Sequence, residues 1–270
     1  MLAPPSNARL KAVTRLRRRT IRESYREFIA EGPQVVREAL AAGASGRVLD
    51  LFVAESELDR HRLIVDDAVA AGVPVHLTPD SVVARLSDTT TPQGLIARCR
   101  FDPWWLEAVM NPAMRLVAVL ANVRDPGNAG TIVRTADAAG ADAVVLSAES
   151  VDLYNPKCVR ATTGSLFHLP VVVGPPVADI VASARAAGLR VLAADAGGDL
   201  DLDDEIDSGR LADPTAWLFG NEAWGLPDEL RALADAVVRV PIHGRAESLN
   251  LAAAAAVCLY ASARAQRALG

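Results

Sequence analysis

The chain has 270 residues, of which 51% are hydrophobic and 23% are charged, and its net charge is −5. This composition is typical of a folded globular protein and excludes a disordered chain. No apolar run approaches the roughly 18 residues of a membrane span, and the N-terminal residues have no apolar signal core. We therefore expect a cytoplasmic protein with one large domain or two of ordinary size.

The cysteines and histidines give no sign of a metal centre. Cys99, Cys158 and Cys258 stand in apolar surroundings without CxxC spacing, and the four histidines have no metal-ligand spacing. The expected interpretation is buried free thiols in a reducing compartment. The sequence predicts no bound metal.

Basic residues are concentrated near the start of this acidic chain. Eight lysines and arginines stand between Arg9 and Arg26, against a single acid, Glu23. Such a stripe is a local electrostatic footprint, and phosphate is its commonest target. A solvated basic helix without a partner is the alternative, and the stripe alone does not decide between the two.

The first hundred residues predict a small α/β domain, because strands and helices alternate along them. The apolar spacing predicts one basic amphipathic helix over residues 6–30. Further helices are predicted at 33–42, 57–71 and 80–86, and strands at 48–54, 73–77 and 94–99. Residues 101–115 are broken by prolines and carry two adjacent tryptophans, so we expect a linker between a domain of residues 1–100 and a domain of residues 116–270.

From Leu116 onward, continuous apolar strands alternate with helices, which predicts a parallel sheet covered on both faces. Strands are predicted at 116–121, 143–146, 169–173, 189–194, 216–219 and 237–240. Helices are predicted at 129–139, 156–163, 177–187, 227–233 and from 248 to about 267. Residues 199–209 are predicted to be an acidic, solvated loop. In such sheets, ligands bind beyond the carboxyl ends of the strands.

Polar stretches follow three of these strands, at residues 122–135, 219–227 and 241–250. In the first stretch Asn128 is expected to cap the next helix, and Arg134 lies one helical turn after Gly130. In the third stretch Ser248 is expected to cap the last helix. Each residue alone has a structural explanation as a cap or a turn. The chain lacks GxGxxG, GxxxxGK[ST] and GxSxG motifs, so an ordinary nucleotide-binding enzyme or an α/β hydrolase is not supported.

Taken together, the three stretches resemble the signature motifs of the SpoU (TrmH-like) branch of the SPOUT RNA methyltransferases. Asn128 and Arg134 match a Pro-Gly-Asn turn with an arginine six residues later, residues 220–225 match Gly-x-Glu-x-x-Gly, and residues 241–250 match Pro-x-x-Gly-x-x-x-Ser-Leu-Asn. Residues 160–167 resemble the family's Arg-Ala-Ser-x-Gly-x-x-Phe, with Thr162 at the usual serine. Residues 28–32 and 86–94 resemble its ribosomal-protein-like substrate-binding domain, a layout shared with the thiostrepton-resistance methyltransferases.

The resemblance implies an α/β fold: a C-terminal parallel-sheet domain with a deep trefoil knot, and a small N-terminal α/β domain that binds RNA. It implies S-adenosylmethionine as cofactor, methylation of a ribose 2′-hydroxyl, and a homodimer formed through the C-terminal domain. The separate N-terminal domain favours 23S ribosomal RNA as the substrate. Antibiotic resistance is the biological role that the resemblance suggests. A transfer RNA 2′-O-methyltransferase, a base-methylating SPOUT enzyme and a non-catalytic RNA-binding protein remain as alternatives.

The resemblance also implies the residue roles. Arg134 would position the hydroxyl or a phosphate rather than act as a base, because a guanidinium stays protonated. Asn128 and Asn250 would hold Arg134 or the substrate, Glu222 would orient its loop or pair with an arginine, and Ser248 would touch the cofactor or cap the helix. The expected cofactor-binding residues are Leu218, Gly220, Val240, Ile242 and Leu249. The expected RNA-binding residues are Arg15, Arg18, Arg19, Arg22, Gln93 and Arg160.

Overall fold

A computed structural model describes residues 4–43 and 47–268 of the chain. It divides into two compact units, each described by itself. The first unit comprises Met1–Asp102 and Tyr154–His168, and the second comprises Pro103–Leu153 and Leu169–Gly270.

The helices and strands follow in chain order. The α-helices of the described residues are α1 (Asn7–Arg15), α2 (Arg19–Tyr25), α3 (Pro33–Ala41), α4 (Arg62–Ala70), α5 (Asp80–Leu86), α6 (Leu106–Val109), α7 (Pro126–Ala139), α8 (Pro156–Thr162), α9 (Val177–Ala186), α10 (Leu202–Asp207), α11 (Asp228–Arg231) and α12 (Leu251–Arg267). The strands are β1 (Glu27–Glu31), β2 (Val48–Ala54), β3 (Val75–Thr78), β4 (Leu95–Arg100), β5 (Leu116–Leu120), β6 (Ala143–Leu146), β7 (Val171–Val173), β8 (Arg190–Ala194), β9 (Leu200–Asp201), β10 (Thr215–Phe219) and β11 (Ala236–Arg239).

The first unit is built on a four-stranded sheet in the order β1-β4-β2-β3. Strand β4 is antiparallel to both β1 and β2, and β2 is parallel to β3. One part of its core consists of buried side chains from α1, α5 and the sheet, including Val13, Leu16, Ile29, Phe52, Val83 and Ile96. The predicted α/β class of this region is confirmed.

The single helix predicted over residues 6–30 is wrong. The chain instead forms α1, α2 and then strand β1, in which Phe28 is buried. Helix α1 ends at Arg15, and the Arg22 guanidinium donates to the carbonyls of Leu16 and Arg17 just after it, at 2.7 and 2.9 Å. Helix α2 ends at Tyr25, and its C-cap residue Arg26 takes a left-handed conformation with φ of 53°.

The segment Tyr154–His168 packs within the first unit, although the sequence placed it in a domain of residues 116–270. The Tyr154 ring stacks on Phe101 with centroids 3.8 Å apart and tilts against Phe28 at 5.0 Å. Phe167 stacks on the same Phe28 ring at 6.2 Å. These aromatic contacts, between residues far apart in sequence, explain why the segment joins strand β1.

The second unit is built on a seven-stranded sheet in the order β7-β6-β5-β10-β8-β11-β9, and every paired strand is parallel. This confirms the predicted parallel sheet. All residues of β5, β6 and β10 are buried, as their continuous apolar sequences require. Helices α7 and α12 pack against each other and against β5. The deep trefoil knot stays a prediction.

The acidic stretch 199–209 is not the solvated loop that its composition predicted. It forms β9 and α10, in which Leu202 and Glu205 are buried. The Glu205 carboxylate accepts hydrogen bonds from Arg190 at 2.5 Å and from Arg210 at 2.6 Å. Two arginines therefore compensate a charge that would otherwise stay in water.

Candidate active site at the carboxyl edge of the parallel sheet

The topology brings the polar stretches to one edge of the second unit. Strands β5, β10, β8 and β11 are consecutive neighbours in the sheet and are all parallel. Their carboxyl ends therefore meet at a single edge, where ligands bind in parallel α/β sheets. The segments that follow these strands contain residues 121–125, 220–227, 195–199 and 240–250.

Glu222 organises the loop that follows β5. Its carboxylate accepts the backbone amides of Arg124 at 3.2 Å and Asp125 at 3.0 Å. It also accepts a hydrogen bond from the Asn128 side-chain amide at 3.2 Å. A carboxylate that accepts several N–H groups is a strong anchor, so Glu222 holds the loop after β5 in place.

Asn128 links Glu222 to the last helix. While its Nδ2 donates to Glu222, its Oδ1 accepts from Asn250 Nδ2 at 3.1 Å. Asn250 Oδ1 in turn accepts the amide of Ala252 at 2.9 Å. A continuous chain of hydrogen bonds therefore runs from Glu222 through Asn128 and Asn250 to the start of α12.

The two caps expected from the sequence are wrong. The N-cap of α7 is Asp125, whose carboxylate accepts the backbone amide of Asn128 at 2.8 Å, and Pro126 takes the first helical position. The N-cap of α12 is Asn250, two residues after the expected cap Ser248, and the helix itself begins at Leu251. Neither expected residue is therefore a cap. Asn128 belongs to the hydrogen-bonded chain instead, and Ser248 lines a cavity.

The loop after β10 is a tight turn. Asn221 and Gly225 exchange backbone N–H···O bonds, both of 2.9 Å, and Gly225 has φ of 65°. A Cβ at Gly220 would lie 2.5 Å from the Gly225 backbone, so no side chain fits at residue 220. Asn221 Nδ2 donates to the carbonyl of Asn122 at 2.8 Å and ties this loop to the end of β5.

Asn122 and Asp195 are site residues that the sequence analysis missed. Asn122 has φ of 60° and exchanges hydrogen bonds with the Ser147 hydroxyl, at 3.0 and 3.2 Å. Asn is the side chain that best tolerates this conformation, which is the available sequence signal. Asp195 follows β8, where it accepts the amides of Gly197 at 2.9 Å and Leu226 at 3.3 Å.

A cavity of about 350 Å³ opens at this edge. Four of the five predicted cofactor-binding residues line it, namely Gly220, Val240, Ile242 and Leu249. Leu218 is fully buried in β10 and does not line the cavity, so its contact with the cofactor stays a prediction. Polar lining comes from Asp195, Glu222, Glu247 and Ser248. An apolar slot with a few polar groups is typical of a small-molecule site.

Arg134 stands apart from the hydrogen-bonded chain. It lies on α7 with an exposed side chain. Among the described residues it has no hydrogen bond or ion pair, and Asn128 and Asn250 bond to each other rather than to Arg134. Its guanidinium is therefore free to bind a ligand.

The predicted RNA-binding residues of the first unit divide into two groups. Arg15, Arg18, Arg19 and Gln93 are exposed, although Arg19 pairs with Glu23 at 2.7 Å. Arg22 is 3% exposed and bonded to backbone carbonyls, so it is not presented to RNA and that prediction is wrong.

Arg160 has a structural partner that the sequence did not reveal. Its Nη1 donates to Glu31 Oε2 at 2.9 Å, and Glu31 is 4% exposed. Ser87 and Thr89 donate to the other oxygen of the same carboxylate. Arg160 therefore balances a buried charge within the first unit.

Residues 4–43 and 47–268 contain no helix with the length and apolarity to cross a membrane. The same residues contain no cluster of His, Cys, Asp and Glu side chains that would hold a metal ion.

The second unit is a parallel α/β unit with a cavity beyond its strand ends, which is where proteins of this architecture bind small molecules. Residues 115–260 match the model of the SpoU rRNA Methylase family, and residues 7–97 match the MRM3-like substrate binding domain. The first match covers more than half of the chain, so the protein belongs to the SpoU rRNA methylase family. The resemblance seen in the sequence motifs is thereby confirmed.

Relatives and solved structures extend over nearly the whole chain. The 23S rRNA (guanosine(2553)-2′-O)-methyltransferase RlmP of Bacillus subtilis is 33% identical over 254 residues, covering 94% of this chain and 95% of the relative. The AdoMet-bound SpoU methyltransferase AviRb of Streptomyces viridochromogenes has a TM-score of 0.82 at 31% identity, covering 98% and 100%. The AdoMet-bound rRNA methyltransferase of Sinorhizobium meliloti has a TM-score of 0.80 at 32% identity, covering 97% of each chain.

Proposed function

We propose that the protein transfers a methyl group from S-adenosylmethionine to a ribose 2′-hydroxyl of RNA, with 23S ribosomal RNA as the substrate. The observation that carries the proposal is the hydrogen-bonded chain from Glu222 through Asn128 to Asn250, beside a cavity of about 350 Å³. Full-length similarity to a 23S rRNA 2′-O-methyltransferase supports the RNA class. Antibiotic resistance stays a prediction.

The cavity fits the cofactor by its chemistry. S-adenosylmethionine supplies a methyl group on a cationic sulfonium, together with an adenine ring and a charged methionine end. Ile242 and Leu249, 37% and 39% exposed, give apolar surface of the kind that an adenine ring covers. The carboxylates of Asp195 and Glu222 line the same cavity and suit positive charge. Backbone around Gly220 would complete the slot.

Arg134 would hold the RNA at the reacting position. A ribose hydroxyl is a weak nucleophile and loses its proton as the new C–O bond forms. A guanidinium is too weak a base to accept that proton, but it binds phosphate with two parallel hydrogen bonds. Arg134 is exposed and unpaired among the described residues, which supports such a role. Asn128 and Glu222 would keep α7 and its preceding loop in place, and Ser248 would touch the cofactor.

The first unit would dock the RNA. Exposed basic side chains on α1, α2 and the residues beside them provide phosphate contacts, and they include Lys11, Arg15, Arg18, Arg19 and Arg26. Structured RNA is recognised by its shape, its backbone and its splayed bases, and phosphate contacts supply much of the affinity. Gln93, exposed in the loop before β4, would add a polar contact.

The functional form would be a cytoplasmic homodimer assembled through the second unit. Helix α12 exposes an apolar stripe at helical spacing, formed by Ala253, Val257 and Tyr260. Val257 is 42% exposed and Tyr260 is 52% exposed. A second copy would bury this stripe. Light scattering of the purified protein tests the dimer, and Tyr260→Glu should shift it toward the monomer.

The test of the proposal is methyl transfer to defined RNA pools. Tritiated S-adenosylmethionine is incubated with the protein and, separately, with naked 23S ribosomal RNA, bulk transfer RNA and assembled large subunits. Label in ribosomal RNA supports the proposal, and label restricted to transfer RNA overturns the substrate. No label in any pool, together with no binding of S-adenosylmethionine, overturns the enzymatic function.

A further inference from the structure

We propose that Trp224 is a stacking surface for an RNA base at the mouth of the cavity, and that Arg124 beside it contacts an RNA phosphate. The inference rests on the proposed function, because it requires RNA at this edge of the sheet. It adds two positioning residues to the reaction, neither of which belongs to the hydrogen-bonded chain of Glu222, Asn128 and Asn250.

The Trp224 side chain projects from a loop whose backbone is fixed by hydrogen bonds. The exchanged backbone bonds between Asn221 and Gly225 close the turn, and Asn221 Oδ1 accepts the amide of Ala223 at 2.9 Å. At the tip, Trp224 lines the cavity and yet is 55% exposed. A large aromatic side chain on a fixed turn loses little further conformational freedom when a ligand covers it, which favours binding.

Arg124 lies over the indole. Its guanidinium carbon is 5.8 Å from the Trp224 ring centroid, and its backbone amide is fixed by Glu222 at 3.2 Å. The guanidinium also approaches Glu149 at 3.9 Å, but both side chains are strongly exposed, at 62% and 70%. An exposed ion pair of this length contributes little, so a phosphate can replace Glu149 as the partner.

The chemistry of the substrate explains why a base and a phosphate suit this pair. Proteins that recognise a particular RNA site mostly bind loops, bulges and single strands, where bases have lost their stacking neighbours. RNA-binding proteins replace that stacking with aromatic rings and with the planes of arginine side chains. Trp224 and Arg124 present both kinds of surface where the nucleotide would enter.

The experiment compares RNA binding with cofactor binding in matched variants. Trp224→Ala, Trp224→Phe and Arg124→Ala are measured for KM and kcat on 23S ribosomal RNA transcript, for transcript affinity by filter binding, and for S-adenosylhomocysteine affinity by calorimetry. The control is Trp105→Ala, because Trp105 is 66% exposed and does not line the cavity.

We expect Trp224→Ala to weaken transcript binding and raise KM about ten-fold, which matches the usual effect of losing one stacked base. Trp224→Phe should restore binding to within about three-fold of the wild type, because a phenyl ring still stacks. Arg124→Ala should lower the slope of log affinity against log salt by about 0.7 to 0.9, the loss of one phosphate contact. Trp105→Ala should leave both affinities unchanged.

Two results would overturn the inference. One is a Trp224→Ala variant with weakened S-adenosylhomocysteine binding and wild-type transcript binding, which would make Trp224 part of the cofactor site. The other is equal transcript affinity in Trp224→Ala and the wild type with an unchanged salt slope in Arg124→Ala. Transcript binding can be measured without methyl transfer. A wild-type protein that transfers no methyl group would therefore contradict the proposed function, and the binding comparison would still test the roles of Trp224 and Arg124.

Discussion

The side-chain amide of Asn250 joins two parts of the second unit that lie 122 residues apart. Its Nδ2 donates to Asn128 Oδ1 at 3.1 Å, while its Oδ1 accepts the amides of Ala252 and Ala253 at the start of α12. One side chain thus caps the last helix and also contacts the first turn of α7. The two roles can be separated by substitution.

Asn250→Asp should keep the cap and lose the link. A carboxylate is a good N-cap, but it has no N–H for Asn128 Oδ1. A flip of Asn128 does not repair the contact, because its Oδ1 would then face the Glu222 carboxylate. We expect Asn250→Asp to unfold in urea like the wild type but to transfer methyl groups at least about ten-fold more slowly, whereas Asn250→Ala also loses about 1 kcal/mol of stability. Wild-type transfer by Asn250→Asp would contradict the positioning role.

Gly220→Ala should collapse the cavity wall. The added Cβ would meet the Gly225 backbone at 2.5 Å, so one of two fixed chain segments must move. We expect a loss of about 1–3 kcal/mol in unfolding free energy and at least a ten-fold weaker affinity for S-adenosylhomocysteine. Gly244→Ala is the matched control, because a Cβ at Gly244 meets no heavy atom of the described residues within 4 Å. Equal cofactor affinity in the two variants would refute this account of the turn.

Arg134→Ala should remove catalysis without removing the cofactor. Arg134 does not line the cavity, and among the described residues it has no bonded partner whose loss would disturb the fold. We expect the transfer rate to fall about 100-fold or more, with S-adenosylhomocysteine affinity within about two-fold of the wild type. Arg134→Lys should recover part of the rate, because it keeps the charge but not the paired hydrogen bonds. Lost cofactor binding would show that Arg134 has another role.

The cysteine thiols should be unreactive in the folded protein. Burial raises the pKa of Cys99 and Cys258 to about 12 in each case, and Cys158 is fully buried as well. The reactive form is the thiolate, which is scarce at about pH 8 under these conditions. Ellman's reagent should therefore label the native protein slowly and label three thiols per chain after unfolding in guanidinium. Rapid labelling of the native protein would contradict this burial.

Glu205 should make stability depend on pH. Burial is the largest single influence and raises its pKa, but the hydrogen bonds and charges of Arg190 and Arg210 together outweigh it, so the pKa lies below the usual 4.5. A lowered pKa means that the stabilisation is present above about pH 4.5 and is lost as pH falls through the folded-state value.

The matched variant for this prediction is Glu205→Gln. We expect it to be about 1–3 kcal/mol less stable than the wild type at about pH 7, since hydrogen bonds to charged groups contribute about this much. The difference should shrink below about pH 4.5. Urea unfolding across this range provides the measurement. A difference that stays constant with pH would mean that the carboxylate charge contributes nothing.

Local sequence patterns predicted much of the fold. Strands β2 and β6 and helix α5 have the predicted bounds, because apolar runs or regular spacing between turn residues define them without distant partners. The parallel sheet also followed from continuous apolar strands. Once the order of the strands in the sheet is known, the predicted parallel strands are enough to place the polar stretches at one edge.

The remaining features depend on partners that no local pattern reveals. Glu205, in helix α10, is buried with its carboxylate bonded to Arg190 of strand β8, a partner that the acidic composition of its own stretch does not reveal. Asn221 anchors its loop on Asn122, 99 residues earlier. Asn250 and Ser248 are both good caps by type, and the Asn128 contact favours Asn250. Leu218 is fully buried in β10, two residues before Gly220, and an apolar strand pattern does not show which of its residues line a cavity at the strand end.

The position of the methyl group on the RNA tests the central claim most directly. A 2′-O-methyl group blocks alkaline cleavage, since the free 2′-hydroxyl is the group that attacks the adjacent phosphate. Labelled 23S ribosomal RNA is therefore hydrolysed with alkali and its fragments are separated. The account predicts label in one alkali-resistant dinucleotide with wild-type protein and none with Arg134→Ala. Label in mononucleotides, on a base, would contradict it.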